Sequence, residues 1–341
     1  MVIIRVDSNT KIASGHVMRC IAVAQALEEA GEEVFFLTAD TCSDAMLEEA
    51  GFSHKNLNSN WEDFSLEIDQ VSEILKLYNM PVYLIDSYSI TKEYIDSLSK
   101  YSKIVYLGSK AINSEKLSML INYSTDIDYD FYENSFSKDT KMLLGPQYAP
   151  LRKEFQNIPQ KSTEEVKRIL ITTGNTDKQN IVEKILLSLI DHDILEEKTI
   201  DVVIGRMFES KNFLYEKFKD IKNINLHENV TDMYSLMKTA DLAISANGTT
   251  VYELAAASVP TITFAMVEEQ LGSACKLSEL GATLYCGESY TDLQVTVERI
   301  AEAASFMCEH KIERNNYCSR AKKIMGGNGS LIIAQELINL N

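Results

Sequence analysis

The sequence predicts an α/β protein of two doubly wound domains, each a largely parallel sheet with helices on both faces. Three observations lead to this prediction. Strand-length apolar runs alternate with segments of helical periodicity, the alternation restarts after a connector rich in proline, and 341 residues suit two domains of ordinary size. Since ligands of such folds bind beyond the carboxyl ends of the strands, we expect a ligand in the cleft between the two domains.

The first half reads as alternating strands and helices. A glycine ends the first helix before the second strand begins, and the strand segments are continuous runs of β-branched and aromatic residues. Such runs are typical of parallel strands buried on both faces. The predicted elements are strands at MVIIRV (1–6), GEEVFFLT (31–38), PVYLID (81–86) and KIVYL (103–107), with helices over 16–30 and near 91–100.

The second half repeats the theme after the segment GPQYAPLRKEFQNIPQKSTEE (145–165), which holds three of the five prolines. We therefore divide the chain into domains 1–150 and 151–341. The final amphipathic helix, SLIIAQELINL (330–340), can pack on either domain. Further strands are predicted within VKRILITTGNTDKQNIVEKILLSLI (166–190), before its helix, and at TIDVVIG (199–205), ADLAIS (240–245) and VPTITF (259–264).

Composition excludes several classes of function. Thirty-three basic and fifty acidic residues give a net charge of −17, which disfavours nucleic acid and anionic membranes as partners. The start of the chain reads as a strand, and no apolar run approaches the roughly 20 residues of a membrane span. The six cysteines have neither CxxC nor zinc-type spacing. We therefore expect reduced thiols, a cytoplasmic location, no metal and no cofactor.

The loop after the first strand, DSNTKIASGHVMRC, carries the sharpest candidate. Gly15 permits close approach of a ligand to the start of the helix. His16 then lies in the first helical turn, where the positive end of the helix dipole favours a neutral imidazole, the form a general base requires. Asp7 lies nearby. Alternatively, His16 is a residue of the first turn that makes only a capping or packing contact. The dinucleotide-binding motif G-x-G-x-x-G is absent from this loop.

A second polar loop, LIDSYS (84–89), follows the strand that ends at Asp86. A carboxylate in this position can orient an imidazole or a ligand hydroxyl. It can equally cap the following helix. Tyr88 follows two residues later.

Two loops of the second half predict a nucleotide site. Backbone amides and hydroxyls between a strand and a helix can cradle phosphate. Glu253, early in a later helix, can accept two hydrogen bonds from a ribose diol, or can simply complement the helix dipole. The loop residues are Thr173, Gly174, Asn175 and Thr176 in the first loop and Ala246, Asn247, Gly248, Thr249 and Thr250 in the second.

The stretch IRVDSNTKIASGHVMRCIAVAQAL resembles the opening of the PseG-type UDP-sugar hydrolases of pseudaminic acid biosynthesis and their spore-coat polysaccharide (SpsG-like) relatives. Their pattern is roughly R-x-D-x(5)-G-x-G-H-x-x-R, and Arg5, Asp7, Gly15, His16 and Arg19 match it. The resemblance continues in order through IDSY, GPQYAPLRKEF, TGNTD, ENVTDMYSLMKTADLAISANGTTVYELAAASVP and the Gln of EEQ.

This resemblance implies a GT-B fold, similar to the glycosyltransferase that makes lipid II, with two Rossmann-like domains facing a cleft. It implies that the C-terminal half holds UDP. It also implies metal-independent, inverting hydrolysis at the anomeric carbon, releasing UDP and a diacetamido-trideoxyhexose for nonulosonic acid or polysaccharide synthesis. It makes His16 the base that activates water, with Asp7 and Tyr88 beside it. Further substrate-binding positions that it implies are Gly15, Arg19, Asp86, Asn229, Glu253, Glu269 and Gln270.

Several positions depart from the family pattern, chiefly on the side expected to contact the sugar. Two alternatives to hydrolysis therefore stay open: a glycosyltransferase that uses a UDP-sugar donor, and a non-catalytic sugar-nucleotide-binding protein. The departures are Ala13 for a glycine, Gly108 and Ser109 for an acidic pair, Asn175 for a glycine, Glu269 for an asparagine and Gly326 for an aspartate.

Overall fold

The computed structural model describes residues 1–9, 11–12, 14–112, 114–194 and 197–340. The chain folds into two compact units. The first comprises Met1–Lys153 together with the C-terminal residues from Asn328, and the second comprises Glu154–Gly327.

The first unit contains a parallel sheet of seven strands in the order β3-β2-β1-β4-β5-β6-β7. The chain order reverses between β1 and β4, so a crevice opens there at the carboxyl ends of the strands. The strands are β1 Val2–Val6, β2 Val34–Thr38, β3 His54–Asn56, β4 Val82–Asp86, β5 Lys103–Leu107, β6 Leu117–Asn122 and β7 Lys141–Leu144. The helices are α1 Gly15–Glu29, α2 Asp44–Glu49, α3 Ile68–Leu75, α4 Lys92–Leu98 and α5 Tyr129–Ser135.

Both faces of this sheet are buried, because alternate residues of β1 enter different apolar clusters. Val2 and Ile4 pack with α1, whereas Ile3 packs with side chains of α3 and α4. The C-terminal helix, Gly329–Ile338, adds Ile333 and Leu337 to the cluster around α1. The helix therefore belongs to the first unit. The domain range 151–341, drawn from the sequence, placed this helix in the second domain because of its position in the chain. In the structure its apolar side chains are buried against α1.

The second unit contains a parallel sheet of six strands in the order β10-β9-β8-β11-β12-β13, which reverses between β8 and β11. The strands are β8 Arg168–Thr172, β9 Thr199–Ile204, β10 Ile224–Glu228, β11 Leu242–Ala246, β12 Thr261–Ala265 and β13 Leu284–Glu288. The helices are α6 Ile181–Asp191, α7 Lys211–Phe218, α8 Met233–Thr239, α9 Thr250–Ala256, α10 Leu271–Glu279, α11 Leu293–Glu309 and α12 Lys311–Met325.

The predicted fold class is confirmed, since each unit is an all-parallel α/β layer structure with its own apolar core.

Several helices begin after an aspartate that caps them. Asp128, Asp232 and Asp292 each accept a hydrogen bond from a backbone amide in the first turn of α5, α8 and α11, respectively. Within the described residues, no helix has the length and apolarity that a membrane span needs.

Candidate functional site

A histidine–aspartate pair lies at the carboxyl end of the first sheet, where the strand order reverses. Val6 of β1 pairs with Asp86 at the end of β4, and α1 begins one residue before His16. Nδ1 of His16 lies 2.5 Å from Oδ1 of Asp86. Since a carboxylate only accepts, we assign the Nδ1 proton to this bond. In the neutral tautomer with this proton, the lone pair is on Nε2, which makes no hydrogen bond within the part of the chain that the structure describes.

Asp86 is fully buried and surrounded by donors. The Nε and Nη2 atoms of Arg19 lie 2.5 Å from Oδ2 and 2.5 Å from Oδ1 of the carboxylate, and the Cys20 thiol lies 3.5 Å from Oδ2. Burial raises the pKa of Asp86, but the charge of Arg19 and the hydrogen bonds from His16 and Arg19 outweigh it, so the pKa lies below its ordinary value. Asp86 therefore stays ionised beside the imidazole.

The sequence left two interpretations of Asp86 open, and the structure distinguishes them. The helix after β4 is capped by Thr91, whose Oγ1 accepts a hydrogen bond of 3.2 Å from the amide of Tyr94. The carboxylate of Asp86 contacts His16 instead. The residue thus orients an imidazole and does not cap a helix.

The ring of Tyr88 packs against the imidazole of His16. Its ring is edge-on to His16, with centroids 4.8 Å apart and planes at 81°, and the residue is 60% exposed. The loop that carries Tyr88 is held by Lys110, whose Nζ donates to the carbonyls of Tyr88 at 3.2 Å and Ile90 at 2.8 Å. The structure thus brings together four of the predicted residues: His16, Arg19, Asp86 and Tyr88.

Arg19, predicted to bind substrate, uses its guanidinium inside the protein. Besides the two bonds to Asp86, Nη1 donates to the hydroxyl of Tyr123 at 2.8 Å. Nη2 also lies 3.0 Å from Nδ1 of His16. This arrangement favours a role in holding the histidine–aspartate pair over direct contact with substrate.

Asp7, predicted as catalytic, belongs to a separate buried network. Its Oδ2 accepts from Arg5 at 2.6 Å and its Oδ1 accepts from the amide of Ala39 at 2.7 Å. Arg5 is also paired with Glu67, through Nε at 2.8 Å and Nη2 at 3.0 Å. Burial raises the pKa of Asp7, although Arg5 and the Ala39 amide oppose that effect. Because both carboxylate oxygens are engaged, Asp7 is suited to holding the loop after β1, not to proton transfer.

In the loop after β5, Gly108 and Ser109 occupy the positions of the acidic pair found in the PseG-type family that the sequence resembles. A Cβ at Gly108 would lie 2.4 Å from the hydroxyl oxygen of Tyr106, so this tyrosine occupies the space beside the glycine. The carbonyl of Ser109 accepts from the hydroxyl of Tyr132 at 2.9 Å. Ala13, the other departure near His16, lies outside the described residues.

In the second unit, the loop after β8 folds on itself before α6 begins. Oγ1 of Thr173 donates to the carbonyl of Thr176 at 3.0 Å. The first amides of α6 are occupied by Asp177, which accepts from Ile181 at 2.7 Å and Val182 at 3.2 Å. Burial raises the pKa of Asp177. The loop itself, and not the start of α6, is therefore the part that can receive a phosphate.

A cavity of about 180 Å³ opens beside this loop, at the reversal between β8 and β11. Five of its lining residues were predicted as binding residues: Gly174, Asn175, Asn229, Thr250 and Glu253. The loop after β9 was not predicted to contribute, and the other lining residues are Thr172, Val203, Ile204, Gly205, Arg206, Val230 and Met233.

Gly205 explains how two of these loops meet. A Cβ at this position would lie 2.3 Å from the carbonyl oxygen of Gly174 and 2.6 Å from the carbonyl carbon and oxygen of Asn175. Only glycine permits this approach. The glycine that ends the run TIDVVIG was the available signal, because a glycine closing a buried strand often marks close backbone contact.

The remaining predicted residues of this unit lie around the end of β11. Oε1 of Gln270 accepts from the amide of Met266 at 2.8 Å, and its Nε2 lies 4.0 Å from the Cβ position of Gly248. Nδ2 of Asn247 donates to the carbonyl of Gln270 at 3.4 Å, while its buried Oδ1 has no hydrogen-bond partner within the described chain. Ala246 is buried, and Thr249 and Glu269 are exposed.

No group of three or more histidine, cysteine, aspartate or glutamate side chains within the described ranges is placed to hold a metal ion. The first unit presents an imidazole bonded to a buried carboxylate, and the second presents a polar cavity that includes the carboxylate of Glu253.

Comparison with known proteins identifies the fold and a glycosyltransferase-like second half. Residues 168–325 match the family model of the glycosyltransferase family 28 C-terminal domain. MurG of Acinetobacter baumannii superposes with a TM-score of 0.67 at 14% identity, covering 99% of each chain. The rhamnosyltransferase SpnG in complex with thymidine diphosphate superposes with a TM-score of 0.58 at 13% identity, covering 100% of each chain. The chain has the GT-B fold.

This GT-B protein is also similar in sequence to three proteins at about 25% identity. It is 25% identical to the spore coat polysaccharide biosynthesis protein SpsG of Bacillus subtilis, over 82% of each chain. It is 25% identical to a Helicobacter pylori protein named pseudaminic acid cytidylyltransferase and UDP-2,4-diacetamido-2,4,6-trideoxy-β-L-altropyranose hydrolase, over 78% of this chain and 44% of that protein. It is 24% identical to a protein of Methanocaldococcus jannaschii, over 75% of this chain and 54% of that protein. The chain thus matches about half the length of two of these relatives.

Proposed function

We propose that this GT-B protein hydrolyses a UDP-linked amino sugar at the anomeric carbon, with inversion, and supplies the free sugar to surface polysaccharide or nonulosonic acid synthesis. The observation that carries the proposal is the His16–Asp86 pair at the strand reversal of the first sheet. A neutral imidazole held through Nδ1 by an ionised carboxylate, with Nε2 unengaged, is the arrangement of a general base.

In the proposed reaction, Nε2 of His16 takes a proton from water while the water oxygen forms a bond to the anomeric carbon. The bond between that carbon and the phosphate oxygen breaks, and UDP leaves with the electron pair. The imidazolium that results is stabilised by Asp86, which keeps its charge and does not itself accept the proton. Because Asp86 is ionised before the reaction, no reorganisation of its charge is needed during the step.

The proposal assigns the nucleotide to the second unit. The cavity at the β8–β11 reversal places Glu253 beside Thr250 and the loop at Gly174 and Asn175. A carboxylate there suits a ribose diol, and loop amides suit a diphosphate. Two proteins of the same fold support this assignment, since SpnG has been crystallised with thymidine diphosphate and the glycosyltransferase VinC with dTDP.

A second candidate is transfer of the sugar to an acceptor hydroxyl in place of water. The match of residues 168–325 to a glycosyltransferase domain favours it. The same imidazole would then deprotonate the acceptor, so the two reactions differ only in the nucleophile. Release of UDP in the absence of any acceptor distinguishes hydrolysis from transfer.

The test uses a panel of UDP-diacetamido-trideoxyhexoses, with UDP release measured in buffer and the anomer of the product identified by NMR. We expect release without acceptor. We expect His16→Ala to lower its rate by about 10²–10⁴-fold, the usual contribution of a general base, with UDP affinity changed by less than about threefold.

The matched control is His54→Ala. His54 also pairs with an aspartate of the first unit, since its Nε2 lies 3.2 Å from Oδ1 of Asp44, but it lies on β3 away from the strand reversal. Turnover by His16→Ala close to that of His54→Ala would refute the assignment of His16. UDP-sugar binding without UDP release by the unaltered protein would refute the hydrolase.

A further inference from the structure

Arg19 is placed to act on the reaction through the histidine–aspartate pair. It lies three residues after His16 on α1, so both side chains project from the same face of the helix. Its guanidinium reaches three groups from different elements: the carboxylate of Asp86 after β4, the hydroxyl of Tyr123 after β6 and the ring nitrogen of His16.

We propose that Arg19 is a positioning residue that keeps the carboxylate of Asp86 against Nδ1 of His16 and balances the charge of that carboxylate beside the imidazole. This proposal rests on the proposed role of His16 as the base. It replaces the sequence-derived expectation that Arg19 contacts substrate.

The geometry fixes the carboxylate. Nε and Nη2 of Arg19 contact the two oxygens of Asp86 separately, which is the bidentate arrangement that the planar guanidinium makes with a carboxylate. Nη1 is anchored on the Tyr123 hydroxyl at 2.8 Å, and the guanidinium carbon lies 5.5 Å from the centroid of that ring. With both oxygens held, Oδ1 stays where the Nδ1 proton of His16 can reach it.

The charges act on the protonation state of His16. With a neutral imidazole, Asp86 and Arg19 cancel, and the buried cluster carries no net charge. Protonation of His16 would leave a net positive charge in a buried site, with a guanidinium nitrogen 3.0 Å from the ring. At this distance the charge of Arg19 opposes the attraction that Asp86 exerts on an imidazolium. The charge of Asp86 raises the pKa of Arg19 despite its burial, so this cation persists throughout the working pH range.

The other groups that face the cluster do not supply a competing charge near neutrality. Burial raises the pKa of the Cys20 thiol and the pKa of the Tyr106 and Tyr123 hydroxyls, so these groups stay neutral. The titratable or charged groups that surround His16 from the described elements of the first unit are Arg19 and Cys20 on α1, Asp86 and Tyr88 at the end of β4, Tyr106 on β5 and Tyr123 after β6.

The experiment measures kcat/KM for UDP release against pH in Arg19→Met and Arg19→Lys. Removal of the cation leaves Asp86 to stabilise the imidazolium alone. Arg19→Met should therefore move the acid limb of the profile to higher pH by about 1–3 units. Arg19→Lys keeps the charge but loses the planar fork. The acid limb of its profile should stay within about half a pH unit of that of the unaltered protein. The plateau of kcat/KM should fall by about tenfold, which corresponds to the loss of roughly one charged hydrogen bond.

The matched control is Lys11→Met, which removes a cation of the first unit that is 70% exposed and paired with Glu62. The acid limb of the pH profile should not move in this variant, because solvent screens exposed charges. UDP affinity, expected to be unchanged, and near-ultraviolet circular dichroism check that the variants are folded. If Arg19→Met does not fold, Arg19→Gln takes its place, with the same expected shift.

The outcomes separate this proposal from the function on which it rests. An unmoved acid limb in the folded uncharged variant, with His16→Ala inactive, would overturn the role of Arg19 and leave the base assignment intact. A lowered plateau alone would likewise reduce Arg19 to a structural role. Normal turnover by His16→Ala would overturn both.

Discussion

The buried ion network beneath the loop after β1 offers a test of how the first unit is stabilised. Glu67 is completely buried and accepts hydrogen bonds from Arg5 at 2.8 Å and 3.0 Å, from Ser59 at 2.6 Å and from Tyr94 at 2.9 Å. The substitution Glu67→Gln keeps the shape of the side chain. It removes the charge and replaces one acceptor oxygen by an NH₂ group, which faces donors.

The expected cost follows from the partners left behind. Removing one partner of a buried ion pair usually costs about 3–5 kcal/mol, because the other charge stays buried without compensation. Here Arg5 retains Asp7 at 2.6 Å, so we expect the lower end, about 3 kcal/mol. With a slope of about 2 kcal/mol per molar urea, the unfolding midpoint should fall by about 1.5 M.

The only tryptophan of the chain makes the assay specific. Trp61 lies in the first unit, close in sequence to Ser59 and Glu67, so its fluorescence reports the unfolding of that unit in urea. The matched control is Glu73→Gln, the same substitution at a side chain that is 74% exposed and paired with Lys76 along α3. Its cost should stay within about 1 kcal/mol.

A midpoint change in Glu67→Gln no larger than that of Glu73→Gln would refute the reasoning. It would mean that the network tolerates loss of its central charge, and that the loop after β1 is held by other contacts.

Two further predictions concern the second unit and acid stability. Gly205→Ala should weaken UDP binding, measured by calorimetry, by about 1–3 kcal/mol, roughly 5- to 160-fold in Kd, because the new Cβ would displace the backbone at Gly174 and Asn175; unchanged affinity would mean that this loop does not contact the nucleotide. Asp86 has a lowered pKa in the folded state, so its contribution to stability is present above its unfolded pKa of about 3.9 and is lost as pH falls through the folded value. Unfolding of the first unit, followed by Trp61 fluorescence from pH 6 to pH 2, should therefore depend on pH less steeply below about pH 4 in Asp86→Asn than in the unaltered protein, and identical slopes would contradict the ionised assignment.

Periodicity predicted the helix after β1 and most of the buried strands of the first sheet, although not β6. The helix predicted over 16–30 is Gly15–Glu29 in the structure, and the strands at 1–6, 81–86 and 103–107 are present. The signal was strong because each of these strands is buried on both faces, so every residue must be apolar or paired.

Strands at the edge of the first sheet were not predicted. β3 consists of His54–Asn56 and β7 of Lys141–Leu144, and both contain half-buried or exposed residues. An edge strand pairs with a neighbouring strand on one side only and is partly exposed to solvent. Its residues therefore need not form the continuous apolar run from which the other strands were predicted. Their place in the sheet depends on pairing with residues distant in the chain.

Motif reasoning selected His16, Asp86, Asp7 and Arg19, but it did not predict the partners that the structure gives to Asp7 and Arg19. Proximity in the chain associated Asp7 with His16, whereas the structure turns Asp7 toward Arg5 and the amide of Ala39. Arg19 was expected to face a ligand, whereas it faces Asp86, 67 residues away in the chain. Hydrogen-bond partners of this separation carry no local sequence signal.

The sequence by itself determined the α/β class, the two sheets and the loops at which polar side chains follow buried strands, because these depend on local periodicity and on the chemistry of short segments. The tertiary structure alone decided which of those loops meet. Parallel order reverses between β1 and β4 and between β8 and β11, and this reversal brings Asp86 to His16 and Glu253 to Gly174 and Asn175. Strand order is set by the packing of whole layers, so no single segment contains it.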